Sequence, residues 1–427
     1  MTNVTPLPVE PGADEATTLD DLAREGARRM IATALEAEVA EYVERHADEL
    51  DEHGHRLVRR NGRGKERGVT VGSGTIRLKA PRVDDRRTDP ESGERIRFSS
   101  RILPAYARRS PKVTELLPAL YLRGLSTGDF APALRELLGE DAAGLSSASI
   151  SRLVKEWEAD YEAFGSRRLE FARYAYLWVD GIHLSVRLGE DTELCCLVVM
   201  GVREDGAKEL LAVSDGYRES AESWAEVLRD LKRRGLRSPA LVTGDGALGI
   251  WAALRDVYPE ARAQRCWVHK IANVLDALPK RVQPKAKRAL HEIMEAETRA
   301  DADRALASFR GEFAAKWPKA YEKLERDRDA LFAFFDFPAE HWLHIRTTNP
   351  IESSFAGVRL RTRVTKGAGS RQAALVMAYK LLDALSERWR RVNGHELVAE
   401  VLDGATFKDG IKLEETSDDG EDERVAA

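Results

Sequence analysis

Two short apolar runs, YAYLWVDG at 174–181 and PALVTGDG at 239–246, each stop at an aspartate followed by glycine. Their aromatic and β-branched content marks them as strands. Further strand-like runs lie at about 194–202, 208–214 and 261–266, with helical periodicity at 220–234 and 247–257. Three strands, a helix, a strand, a helix and a strand predict a mixed sheet covered by helices, an α/β core. In that order the first strand is central and the fourth runs parallel beside it. Asp180 and Asp245 are therefore expected side by side at strand ends.

A third acidic residue, Glu352 in RTTNPIESSF, lies 107 residues beyond Asp245, which itself lies 65 beyond Asp180. Each has an ordinary structural reading. Asp180-Gly181 suits a tight turn, and Asp245 suits a helix cap. Glu352 suits the third position of a helix capped by Asn349 with Pro350 first. Together they read differently, because three converging carboxylates repel one another strongly. Magnesium, a hard ion that prefers carboxylate and water oxygens, relieves that repulsion and leaves positions open for phosphate. A pair of such ions stabilises both oxygens of an in-line phosphoryl transfer.

The formal net charge of −5 averages over blocks of opposite sign. Residues 1–52 carry 14 acidic and 4 basic side chains, residues 56–110 carry 6 and 16, and residues 353–392 carry 2 and 9. Residues 400–427 return to 10 acidic against 3 basic. Such asymmetry predicts a nucleic-acid partner. No apolar stretch is long enough for a membrane helix, and the polar start is not a signal peptide. The three cysteines, Cys195, Cys196 and Cys266, exclude a disulfide framework. A reducing, cytoplasmic location is expected.

Along the chain, an acidic leader and amphipathic helix fill 1–50. A basic region follows at 51–168, with a β-hairpin expected around Gly72-Ser73-Gly74 and helices at about 111–123, 127–138 and 147–163. The last two form a helix-turn-helix layout, with Ser147, Ser149, Arg152 and Lys155 on the candidate recognition helix. In the basic region, Arg59, Arg60, Arg63 and Lys65 are candidate phosphate contacts. The first part of the core spans 169–269, an all-helical insertion 270–340, the closing core helices 341–395 and an acidic tail 396–427.

The pieces VDGIHLSVR, GYRESAESWAEVLRDLKRRGL, VTGDGALGI, AQRCWVHKIANVL and WLHIRTTNPIESSFAGVRLRTRVTKG, with upstream GRGKERGVTVGSGTIRLKAPRV and SSASISRLV, resemble bacterial insertion-sequence transposases of the Mutator-like group. The resemblance covers about residues 55–395. It implies a ribonuclease-H-like mixed sheet interrupted by an all-helical insertion, preceded by a helical and β-hairpin DNA-binding region. It also implies an Asp-Asp-Glu triad, carried here by Asp180, Asp245 and Glu352, working with Mg²⁺ or Mn²⁺, two ions per site. Cleavage at terminal inverted repeats and 3′-hydroxyl strand transfer into target DNA would follow. Because two element ends must be held together, a homodimer or larger synaptic complex is expected.

Cys266 and His269 form a Cys-x-x-His pair. A structural zinc site needs four ligands and this pair supplies two, which His341 and His344 could complete. The family carries such a pair after its second Asp, where His269 would orient DNA or a carboxylate. Arg346, Asn349, Arg359, Arg361, Arg363 and Lys366 surround Glu352, with no acidic residue between Ser353 and Met377. They are candidate DNA contacts, and Trp342 is either a base-stacking or a core residue. The competing functions are a ribonuclease-H-like structure-specific nuclease and a DNA-binding regulator that lacks catalysis.

Overall fold

A computed structural model of the 427-residue chain describes residues 18–113, 147–187, 193–216, 218–246, 248–364, 367–368 and 370–414, with a few single positions between 120 and 138. The chain divides into two compact units, 1–154 and 155–427. Most of the expected helices at 111–123 and 127–138, the leader to residue 17, Lys366 and the tail from 415 lie outside the described residues.

The first unit opens with α1 (Leu19–Arg45). Thr18 and Asp21 form a reciprocal capping box, which satisfies donors that a helix start otherwise leaves unpaired. Leu35 on α1 is buried against Val69, Ile76, Leu78 and Leu103, and Val39 one turn on is buried as well. Four short strands follow: β1 (Val58–Arg63), β2 (Arg67–Val71), β3 (Gly74–Leu78) and β4 (Pro81–Asp85). β2 pairs with β3 across Gly72-Ser73, and β1 pairs with β4. The acidic helix and basic strands meet directly. Glu36 takes Arg60 at 2.8 Å and Arg63 at 2.9 Å, while Arg59 reaches Asp84 at 3.3 Å. The opposed charge blocks of the sequence thus neutralise each other in part within this unit. Helix α2 (Ser147–Ser166) carries Arg152 and Lys155 exposed; the side chains of Ser147 and Ser149 lie outside the described residues.

The second unit is built on a five-stranded mixed sheet of order β7-β6-β5-β8-β9. Its strands are β5 (Tyr174–Ser185), β6 (Glu193–Arg203), β7 (Lys208–Gly216), β8 (Leu241–Gly244) and β9 (Arg262–Arg265). The first three pair antiparallel, and β8 and β9 run parallel to β5. Helices α3 (Ala221–Arg233) and α4 (Leu248–Val257) cover one face, where Trp224, Leu228 and Leu254 bury Leu177, Val179 and Leu197. The other face carries Tyr176, Trp178 and Ile182 into a larger core. That core continues through α5 (Trp267–Leu275), α6 (Gln283–Met294), α7 (Arg299–Phe309), α8 (Pro318–Glu325), α9 (Arg328–Leu331) and α10 (Trp342–Ile345). Helices α11 (Asn349–Val364) and α12 (Arg371–Ser386) close it.

Two boundaries differ from the sequence reading. β5 runs five residues past Asp180, and its pairing with β6 continues to Ser185↔Glu193, so no turn falls at Asp180-Gly181. Beyond Asp180 the burial alternates, with Ile182 and Leu184 inward and His183 and Ser185 outward, the signature of a strand with one solvated face. Residues 396–413 are folded: Val398 and Val401 on α13 (Leu397–Leu402) and Phe407 on β10 (Phe407–Lys408) enter the core, and β10 pairs with β11 (Ile411–Lys412). Apolar side chains at a helical spacing outweigh the surrounding acidic charge there. Among the described residues no helix is long and apolar enough to cross a membrane.

Candidate active site at the end of the parallel strands

The β5–β8 register fixes the first two acids. Val179 pairs with Gly244, the last residue of β8, so Asp180 and Asp245 are the next positions on adjacent parallel strands. Neighbouring strands lie about 4.8 Å apart, which brings the two aspartates to one sheet end. Asp180 is interior to β5, but it stands where its parallel neighbour stops. The loop after Asp245 turns at Gly246, whose positive φ of 85° disfavours any side chain. Arg265 fills the space beside that glycine and donates to its carbonyl at 2.7 Å.

Glu352 arrives by a strap of hydrogen bonds laid in sequence order. The Tyr176 hydroxyl meets His341 Nδ1 at 2.7 Å, and Trp178 Nε1 donates to the His344 carbonyl at 3.1 Å. Thr243 Oγ1 donates to the Ile345 carbonyl at 2.7 Å, and the Trp267 amide to the Arg346 carbonyl at 3.0 Å. Thr348 then donates from its amide and its hydroxyl to Cys266 Sγ, at 3.3 and 3.2 Å. Each such bond contributes about 1 kcal/mol net. Their shared effect is directional: they lay 341–348 on the sheet end, so that α11 starts beside Asp180.

Thr348, not Asn349, precedes the helix, and its carbonyl accepts from the amides of Ile351 and Glu352 at 3.0 Å. Glu352 therefore sits one position later than a capping-box glutamate. Its carboxylate accepts a bond from the Thr348 hydroxyl.

The electrostatics reflect the neighbourhood of these acids. Burial pushes the Asp180 carboxyl up to about 7, helped by the negative charges of Asp245, Glu352 and Glu219. A hydrogen bond from the Gly181 amide at 2.9 Å opposes that rise. His269 stands on the other side of Glu352, with Nδ1 3.7 Å from Oε1 and 3.4 Å from Thr348 Oγ1. Its pKa rises to about 9, first through a hydrogen bond with Cys266 and against burial, with further support from the charges of Cys266, Glu352 and Asp245. Burial would raise the Cys266 thiol, but bonds from His269 and Thr348 outweigh it and lower the pKa.

Other candidates are distributed differently. Cys266, His269 and Glu352 offer ligand atoms within 4.8 Å of one another. His341 and His344 do not join them: His341 is committed to Tyr176 and to the Gly394 carbonyl, and His344 to the Asn393 amide. Trp342 is a core residue, donating to the Phe337 carbonyl and packed edge-on to Phe334 and Phe335. Arg346 is half-buried and donates to the Met294 carbonyl at 3.1 Å. Arg361 is buried at 4% exposure, on the inner face of α11, whereas Asn349, Arg359 and Arg363 are exposed. Arg59, Arg60 and Arg63 are exposed but ion-paired, and Lys65 is exposed.

Two contributors escaped the sequence reading. Thr348 was hidden by the stronger Asn-Pro helix-start signal beside it. Glu219 lies between β7 and the Ser220 cap of α3, in GYRES, a segment with no period of its own. A side chain on Gly181 would collide with the Glu219 carboxylate, and one on Gly249 with its backbone. Burial raises the Glu219 pKa, as does the charge of Asp245.

The family described as Transposase, Mutator family, matches residues 7–392. The transposase for insertion sequence element IS6120 of Mycolicibacterium smegmatis is 57% identical over 306 residues, 72% of this chain and 94% of that protein. The transposase for element IST2 of Acidithiobacillus ferrooxidans is 49% identical over 297 residues, 69% of this chain and 99% of that protein. The transposase for element ISRM5 of Rhizobium meliloti is 30% identical over 297 residues, 69% of this chain and 74% of that protein. Sharing this extent of sequence with insertion-sequence transposases, and matched by the family nearly end to end, the chain belongs to the Mutator family of transposases.

Proposed function

We propose that the chain cuts and joins DNA at the ends of an insertion sequence through a carboxylate site formed by Asp180, Asp245 and Glu352. In this reading the unit on β5–β9 is a ribonuclease-H-like core, split into 169–269 and 341–395 by the helical insertion 270–340. Residues 51–168 bind terminal inverted repeats. The antiparallel meander of β5, β6 and β7 on one side of the sheet and the parallel β8 and β9 on the other support that reading.

The donor set fits Mg²⁺ or Mn²⁺. Asp180, Asp245 and Glu352 supply hard oxygen ligands from three separate segments, and Asp180 is held among like charges that a divalent cation would neutralise. When bound, two such ions would stabilise the attacking and leaving oxygens of an in-line displacement, first with water and then with a 3′-hydroxyl as nucleophile. The protein side chains position the reaction. The Asp pair is fixed by strand register, and Glu352 is aimed by Thr348. The cationic His269 ring lies 3.7 Å from Glu352, where its charge favours the ionised carboxylate and attracts a phosphate. Exposed Arg359 and Arg363 extend that attraction along α11. Two element ends call for two chains, so a synaptic homodimer or larger assembly is part of the proposal.

The observation that carries the reading is the crowding of Asp180 by Asp245 and Glu352, which lie 65 and 172 positions further along the chain. The test incubates full-length protein with labelled element ends and Mg²⁺ and maps the nicked phosphodiester. Nicks at the element 3′ ends are expected. Asp180→Asn, Asp245→Asn or Glu352→Gln should each reduce cleavage at least about 10³-fold while end binding survives. Undiminished cleavage by the Asp180→Asn protein would overturn it.

A further inference from the structure

A second cluster of ligand atoms lies at the edge of this site on the opposite face of the sheet. His183 on β5 and Cys195 on β6 are directly paired across the strands, and so present their side chains on one face. Glu219 descends onto the same spot, over the bare backbone of Gly181. The His, Cys and Glu donor atoms all lie within 4.8 Å of one another, with His183 Nε2 3.8 Å from Glu219 Oε1. Tetrahedral coordination with zinc bond lengths needs ligand-to-ligand separations of roughly 3.3–3.6 Å. Small rotations of an exposed histidine and a partly exposed glutamate close that difference.

The cluster at Cys266 provides the contrast. Cys266 Sγ already accepts from the Thr348 amide, and it shares the single Thr348 hydroxyl proton with the Glu352 carboxylate. That cysteine is employed in holding the start of α11. Among the described residues, Cys195 Sγ takes part in no hydrogen bond, and the ion-pair partner of Glu219 is His183 alone. A thiolate, an imidazole and a carboxylate form a ligand set for a borderline-soft divalent cation, unlike the all-oxygen set of Asp180, Asp245 and Glu352.

We infer that His183, Cys195 and Glu219 bind a divalent cation of the zinc class, with three protein ligands and a fourth position open to solvent. Such an ion ties the segment before α3 to the β5–β6 ladder. It also neutralises Glu219, whose charge otherwise bears on Asp245 and Asp180. The inference does not depend on the proposed DNA chemistry.

The test uses Co²⁺, which reports thiolate ligation and tetrahedral geometry in its absorption spectrum. Full-length, reduced, chelator-treated protein is titrated with Co²⁺ and then challenged with Zn²⁺. A thiolate-to-cobalt charge-transfer band and tetrahedral d–d bands are expected, both abolished by Zn²⁺. Cys195→Ser should remove the thiolate band, and Cys266→Ser should keep it. His183→Gln, a change at a side chain 58% exposed, should weaken Co²⁺ binding by at least about 10-fold with the fold intact by circular dichroism. This variant decides the question if Cys195→Ser does not fold. A wild-type protein without a thiolate band, a band lost in Cys266→Ser but kept in Cys195→Ser, or unaltered affinity in His183→Gln would each overturn the assignment.

Discussion

Asp85 and Asp180 are both buried aspartates on strands, and their surroundings are opposites. Asp85, in the first unit, accepts from Tyr42 Oη at 2.7 Å, from Arg87 Nε at 2.9 Å and Nη2 at 2.8 Å, and from the Arg87 amide at 3.1 Å. Burial alone would raise its pKa, but the Arg87 and Tyr42 bonds prevail and hold it at about 2. Asp180, in the second unit, is pushed up to about 7 by burial first and then by the charges of Asp245, Glu352 and Glu219. Low exposure therefore says little by itself about a carboxylate's role. A partnered acid is a structural tie, whereas an acid crowded by its own kind is a candidate site for an external cation.

The largest stability effect should come from removing the partner in the first unit. Arg87→Ala leaves Asp85 charged and buried, and should destabilise that unit by about 3–5 kcal/mol in chemical denaturation. A loss below 1 kcal/mol would erase the distinction between the two sites. Asp180→Asn should act in the reverse direction, stabilising the metal-free protein at pH 7.5 by on the order of 2 kcal/mol while abolishing cleavage.

The two acids also predict opposite pH dependences. The folded pKa of Asp180 lies above its ordinary 3.8, so its contribution is fully present below that value and is lost as pH rises through about 7. The folded pKa of Asp85 is depressed, so its contribution is present above 3.8 and is lost as pH falls through about 2. Denaturation profiles of the Asp180→Asn and Asp85→Asn proteins across pH should isolate these windows. Coincident windows would contradict the comparison.

Smaller effects probe positioning. Thr348→Val removes the hydroxyl that bonds Glu352 and Cys266, and should lower cleavage by about 10-fold and raise the Mg²⁺ concentration needed for half-maximal rate. Thr348→Ser should restore most of both. The smallest effect belongs to the exposed arginines of the first unit. Arg63→Ala should weaken end binding and reduce the salt dependence by about one unit of slope. Glu36→Gln, which releases Arg60 and Arg63, should strengthen binding at low salt.

Much of this arrangement was legible in the sequence because burial leaves a composition record. The stretches leading into Asp180 and Asp245 are apolar runs, and the helices between them are amphipathic, so the sheet and its two aspartates could be ordered from the chain alone. The extension of β5 was obscured because apolar Ile182 and Leu184 alternate with polar residues just after an Asp-Gly turn signal. Thr348 and Glu219 could not be found by periodicity, since both lie in connecting segments and act through long-range contacts. Arg361 was misjudged for a related reason: a charge run on a helix does not reveal which members face inward. The ion pairs of Glu36 with Arg60 and Arg63 join positions 24 and 27 residues apart and leave no local signal.

The central claim is that Asp180, Asp245 and Glu352 together receive divalent cations. Mn²⁺ binding to the full-length protein, followed by electron paramagnetic resonance of the free ion, tests it most directly. The account predicts saturable Mn²⁺ uptake that Mg²⁺ displaces, and that Asp180→Asn or Glu352→Gln reduces sharply while Asp85→Asn leaves it unchanged. Equal uptake by wild type and by the Asp180→Asn and Glu352→Gln proteins would contradict it.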